Sequence, residues 1–272
     1  MIAEWSQSLN LLRDYVIKLS ESLRLSGVEE PLEKYKSILF TCLCAAYGKR
    51  EFCKSISLNP SLEDPVKIGR NFIKVMNRLS EKGPIISGES ILYSLQKTEN
   101  ILKTYKKKPF ILLCDGLSLP EYVYLYDRFS KITCPDGLLY AINPGGMTKT
   151  YEHLTSIMLG SVSESVTMTK VGELLMKRFG AMNFIVLRKI DEMVHKAQSK
   201  KFPKTFDMIV SLYKAVEEIA TQINIWAENY CVLVISDHGY DISIEGEKLY
   251  IFHKFTGDRP CLSLFSATLI IG

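Results

Sequence analysis

The chain has 272 residues, 47% of them hydrophobic and 24% charged, with 16 glycines and 10 prolines. That balance excludes wholesale disorder, a fibrous repeat and a low-complexity protein, and leaves room for one large domain or a core with a helical appendage. The formal charge of +4 is mild but uneven: residues 1–108 hold 18 Lys/Arg against 12 Asp/Glu, and residues 109–272 hold 16 against 18.

Residues 1–108 read as a helical N-terminal region. Leu9, Leu12, Val16, Leu19 and Leu23 recur at steps of three and four, which predicts an amphipathic helix over Ser6 to Leu25. A second helix is predicted over Pro31 to Tyr47, with Pro31 suited to a first turn, a third over Pro65 to Leu79 and a fourth over Gly88 to Tyr105. The run Lys106-Lys107-Lys108 suits a helix C-terminus and marks a boundary. The basic charge of this region allows proximity to phosphates or nucleic acid. Its aromatics (Trp5, Tyr15, Tyr35, Phe40, Tyr47) fall mostly on apolar stripes, the pattern of core residues.

The pattern changes at Pro109. Apolar runs of strand length occupy Phe110 to Cys114, Leu138 to Ile142, Phe184 to Ile190, Cys231 to Ile235 and Leu262 to Ile271. Helical segments lie between them, at Tyr151 to Leu159, Lys170 to Phe179 and Thr205 to Tyr230. Near-continuous apolar strands alternating with helices predict an α/β fold, a mostly parallel sheet sandwiched by helices, over residues 109–272. Seven cysteines, an odd number scattered through apolar segments, read as buried thiols in a reducing compartment, and Cys42-x-Cys44 has the wrong spacing for a zinc knuckle or redox pair. No apolar run approaches the roughly 18 residues that span a bilayer. Met1-Ile2 is soon followed by Glu4, unlike a secretory leader, so the expectation is a soluble, cytoplasmic protein without membrane attachment.

In such sheets the functional cleft lies beyond the carboxyl ends of the strands. Three apolar strands deliver an aspartate there: Asp115 after Cys114, Asp191 after Ile190, and Asp237 after Ser236. Histidines are scarce, yet His195 stands four residues after Asp191, His238 directly follows Asp237, and His253 follows the apolar Tyr250-Ile251-Phe252. Carboxylate oxygen combined with imidazole nitrogen suits zinc or manganese rather than calcium. His153 reads as a residue of the helix that starts near Tyr151.

The order Asp115, a threonine, Asp191-x-x-x-His195, Asp237-His238-Gly239 and His253 resembles the two-metal phosphoesterases of the alkaline phosphatase superfamily. Met147-Thr148-Lys149-Thr150 is similar to the nucleophile segment of the nucleotide pyrophosphatase/phosphodiesterase branch, and the compact size and ending resemble PglZ domains of phage-defence systems. The resemblance implies one cation site from Asp191, His195 and His253 and another from Asp115, Asp237, His238 and the nucleophile oxygen. It implies Thr150 as nucleophile, with Thr148 the alternative. Arg259 and Asp258 are alternatives to His253 in shaping that end of the site. The implied activity is hydrolysis of a phosphate ester, through two divalent ions and a phosphothreonine. No arginine matches the phosphate-gripping residue of phosphomonoesterases, which favours a diester such as a nucleotide or nucleic-acid ester. The other readings are a phosphomonoesterase, and a catalytically silent PglZ-like module of a phage-defence or regulatory system that binds a protein partner through its N-terminal helices.

Overall fold

The computed structural model of the chain describes residues 14, 17–18, 30–47, 84–142, 167–198, 204–245, 248–253 and 262–272. The expected helices over Ser6 to Leu25, Pro65 to Leu79 and Tyr151 to Leu159 lie wholly or largely outside these residues, as do Thr148, Thr150, His153, Asp258 and Arg259.

In chain order the elements are α1 (Pro31–Tyr47), α2 (Pro84–Leu102), β1 (Pro109–Cys114), α3 (Leu119–Arg128), β2 (Thr133–Ile142), α4 (Met168–Phe179), β3 (Phe184–Leu187), α5 (Lys189–Gln198), α6 (Thr205–Ala227), β4 (Cys231–Ser236), β5 (Asp241–Glu245), β6 (Lys248–Phe252), a 3-10 turn (Leu262–Leu264) and β7 (Phe265–Ile271). Five strands form one sheet in the order β2-β7-β4-β1-β3, and β5 and β6 form a separate hairpin.

β1 pairs in parallel with both β3 and β4. β7 runs antiparallel to both β4 and β2, so the sheet is mixed and the last strand opposes the other four. The expectation of a mostly parallel α/β sheet holds at that level.

Each central strand is apolar throughout because both of its faces are covered. Side chains alternate across a strand. Phe110, Leu112, Cys114, Val232 and Val234 accordingly share one core with α1, α3, α5 and α6, whereas Ile111, Leu113, Cys231, Leu233 and Ile235 share another with α2 and α4. The long helix α6 buries Met208, Ile209, Leu212, Ala215, Val216, Ile219, Ala220 and Ile223, a stripe at steps of one, three and four. Phe110 stacks on Trp226 with ring centroids 4.0 Å apart, fixing α6 against β1. The opposite face admits α4 closely. A Cβ on Gly172 would stand 2.3 Å from the Phe184 ring, so only glycine permits this approach.

The described helices of the N-terminal region belong to these same cores. Tyr35, Ile38, Leu39 and Cys42 of α1 are fully buried on one face, and Ile91 and Leu95 of α2 are buried on the other. The core placement read for Tyr35 therefore holds. Cys42, Cys114, Cys134 and Cys231 are buried free thiols. Among the described residues, no helix is long and apolar enough to cross a membrane.

Several expectations on local structure need correction. The strand expected over Leu262 to Ile271 opens with the 3-10 turn Leu262–Leu264 and becomes β7 only at Phe265. The strand expected over Phe184 to Ile190 ends at Leu187, and helix α5 begins at Lys189. The charged pair Arg188-Lys189 faces solvent at that change of direction. Helix α3 was not expected between β1 and β2. Its residues Leu119 to Leu125 are all buried, and at ten residues it is short.

Candidate functional site

β1, β3 and β4 end side by side, and the residues just beyond them converge. The backbone N–H of Asp115 donates to Leu187 C=O at 2.8 Å, carrying the β1–β3 pairing one step past the strand. The chain then turns at Gly116, whose φ of +77° suits glycine. The Gly116 N–H donates to Asp237 Oδ1 at 3.1 Å, tying the end of β1 to the end of β4. A Cβ at Gly116 would lie 3.3 Å from the Asp191 backbone, so this glycine also admits the first turn of α5. Within α5, Asp191 and His195 are separated by one helical turn and share a face. His253 arrives at the end of the β5–β6 hairpin, and β6 packs against α5.

The residues meet in two groups. Asp191, His195 and His253 form one, and Asp115, Asp237 and His238 form the other; within each group one ligand atom per residue lies within 4.8 Å of the others. In the first, His253 Nε2 is 3.1 Å from Asp191 Oδ1, His195 Nε2 is 3.4 Å from Asp191 Oδ2, and the two imidazole nitrogens are 3.3 Å apart. In the second, His238 Nε2 is 3.5 Å from both Asp115 Oδ1 and Asp237 Oδ2. The groups adjoin, since the His238 and His253 rings are 5.0 Å apart.

The donor set fits cations. His238 Nδ1 lies 2.9 Å from Gly239 C=O, which can only accept, so Nδ1 carries the proton. In the neutral ring the Nε2 lone pair then points at two carboxylates. Such converging electron pairs need a proton or a metal ion, and a second ring nitrogen bonded to a carbonyl is the usual support of a metal-ligating histidine. Burial, then the charges of Asp237 and Asp191, push Asp115 up to about 7, with His238 and Arg188 opposing the rise. Burial also raises Asp237, which is only 3% exposed. Burial opposes ionisation of Asp191 too, but the hydrogen bond from His253 and the nearby His195 prevail and hold its carboxyl below the usual range. The Asp191 bond in turn raises His253.

Asp115 also lines a cleft of about 430 Å³, with Arg188, Lys189 and Glu192 on one side and Glu218 and Ile219 of α6 on another. Lys189 pairs with Glu218 there. The strand expected up to Ile190 left Arg188 unassigned. Its position three residues before Asp191, at a strand end, is the sequence feature that marks it.

Comparison with protein-family models gives no match, and comparison with curated proteins gives none either.

Proposed function

We propose that the chain is a metal-dependent phosphoesterase with an alkaline-phosphatase-like core of the PglZ type, acting on diesters such as nucleotide or nucleic-acid esters. One observation carries the reading: three carboxylates and three imidazoles, delivered by helix α5 and the ends of β1, β4 and β6, face one another in two adjoining groups, and Asp115 also lines an open cleft. The order of these residues along the chain supports the family resemblance.

Two divalent cations, zinc foremost and manganese as the alternative, would supply charge to polarise a phosphate oxygen and to favour an ionised hydroxyl nucleophile. Asp191, His195 and His253 would hold one; Asp115, Asp237 and His238 would hold the other. The protein's own part is orientation. Asp237 is fixed by the Gly116 N–H and His238 by the Gly239 carbonyl, so neither must reorganise during reaction. Arg188 flanks Asp115 in the cleft and offers a fork of donors to a phosphate oxygen. Thr150 is the nucleophile in this reading and Thr148 its alternative. Attack by the hydroxyl on a diester would break one P–O bond, release one alcohol and leave the threonine linked to the phosphoryl group that still carries the other. Water would then release that group as a monoester. On a monoester the same attack would form phosphothreonine, and water would release phosphate.

The test is hydrolysis of a chromogenic bis-aryl phosphate by protein supplied with zinc or manganese, beside the mono-aryl ester. Turnover of the diester, lost in Thr150→Ala together with labelled phosphate on the protein, is expected. Trapping lost only in Thr148→Ala would move the nucleophile. Faster turnover of the monoester would reverse the substrate class. A metal-loaded protein inert toward both would leave the silent partner-binding module.

A further inference from the structure

Glu121 is completely buried in α3, and among the described residues its hydrogen-bond partners are two phenols and a backbone N–H. Its Oε1 accepts from Tyr35 Oη at 2.6 Å and Tyr240 Oη at 2.5 Å, and its Oε2 accepts from the Ser118 N–H at 3.1 Å. These partners come from α1, from the turn after β4 and from the start of α3. Ser118 Oγ donates to the Tyr240 carbonyl at 3.1 Å, so Tyr240 is held at both its phenol and its backbone. Gly239 is confined as well, because a Cβ there would stand 2.5 Å from Leu262 C=O and 2.8 Å from Ser118 Oγ. Its carbonyl is the one that engages His238 Nδ1.

A contiguous path therefore runs from Tyr35 through Glu121 to the 239–240 peptide and on to the His238 ring. A carboxyl in this place is costly, and burial raises it to about 7 against the pull of its hydrogen bonds. An apolar residue would fill the space more cheaply, but it would not offer acceptors in fixed directions.

We propose that the Tyr35–Glu121–Tyr240 network positions His238 for the cation site of Asp115, Asp237 and His238, so that helix α1 shapes this site without touching it. The inference rests on the cation-site reading above. Loss of the outer hydrogen bond to a metal-ligating histidine typically lowers metal affinity about 10- to 100-fold, and here that bond is made by the Gly239 carbonyl that the network holds in place.

The experiment measures zinc affinity, by competition with a chromogenic chelator, in two full-length backgrounds. Asp191→Ala retains the Asp115/Asp237/His238 group, and Asp237→Ala retains the Asp191/His195/His253 group. Adding Tyr35→Phe should weaken zinc about tenfold or more in the first background and leave the second unchanged. Tyr240→Phe should do the same and serves if Tyr35→Phe fails to fold. Lower thermal stability with equal zinc affinity in the first background would overturn the inference, leaving the network merely structural. Equal weakening in both backgrounds would overturn it too. If neither parent binds zinc, the cation reading itself fails and this inference falls with it.

Discussion

At the scale of single residues, the site is defined by groups whose electrostatics make sense only with a cation or proton among them. Asp115, held near 7 by burial and by two carboxylate neighbours, must shed its proton before it can ligate. Zinc affinity should therefore fall about tenfold per pH unit below about 7, and become flatter above it. Calorimetric titration across that range checks this, and an affinity independent of pH would contradict it. Asp237→Ala should remove one of two bound equivalents and abolish turnover while the fold persists. In the proposed function Arg188 has a different role, since it lies beside the candidate ligands rather than among them. Arg188→Ala should raise KM more than it lowers kcat, as expected for loss of a charge-assisted contact to bound phosphate.

These residue roles were unequally legible. Asp115 and Asp237 directly follow apolar strands and Asp191 lies in the first turn of the helix after a third, and in the folded chain all three come together with His195, His238 and His253. Arg188 was hidden by an overlong strand. Glu121 and Tyr35 were hidden for a deeper reason: the partners are 86 residues apart, and neither belongs to a local motif that signals their meeting.

At the scale of elements, turns set the geometry. The 237–241 turn has little freedom, because Gly239 faces Leu262 and Ser118 while Asp241 accepts from the Leu262 N–H at 2.6 Å and from Ser263 Oγ. Gly239→Ala forces a methyl against backbone and should cost about 1–3 kcal/mol, read from denaturant unfolding. It should weaken zinc at the neighbouring group as well; unchanged stability would mean the turn can yield. Helix α1 was readable to its ends, for Pro31 suits a first turn and Tyr35, Ile38, Leu39 and Cys42 fall on one buried face. Helix α3 was not, although Ser118 and Glu121 stand at capping-box spacing, because it is only ten residues long and lies directly behind an apolar strand. The β5–β6 hairpin was also missed, despite the alternation in Asp241-Ile242-Ser243-Ile244-Glu245. Only its Tyr250 to Phe252 end stood out as apolar, and that end presents His253.

At the scale of the whole molecule, the two sheet faces are closed partly by α1 and α2, so the sheet and the site share their cores with those two helices. The buried acids also set how stability responds to pH. Asp115 and Glu121 are raised to about 7 and Asp241 to about 6, so the native state retains protons that the unfolded chain releases near pH 4. The unfolded state binds fewer protons across that window, hence stability falls as pH rises from about 4 to 7. His253 acts in the same sense: its pKa is raised by Asp191, so its contribution is complete below the ordinary histidine value and is lost as pH rises through the folded one. Asp191 acts oppositely, but its stabilisation is lost only as pH falls through its depressed pKa, below the usual carboxylate range. The metal-free protein should thus melt at a lower temperature near pH 8 than near pH 5. Divalent cation at a hundredfold excess over its Kd should restore about 3 kcal/mol per site near pH 8. Thermal melts with and without chelator test both parts, and a cation-independent profile would count against them.

The most direct measurement is anomalous scattering at the zinc edge from crystals grown with the metal. Two peaks are predicted, one bounded by Asp115, Asp237 and His238 and one by Asp191, His195 and His253. Zinc located elsewhere, with these six side chains making no bond to it, would contradict the account.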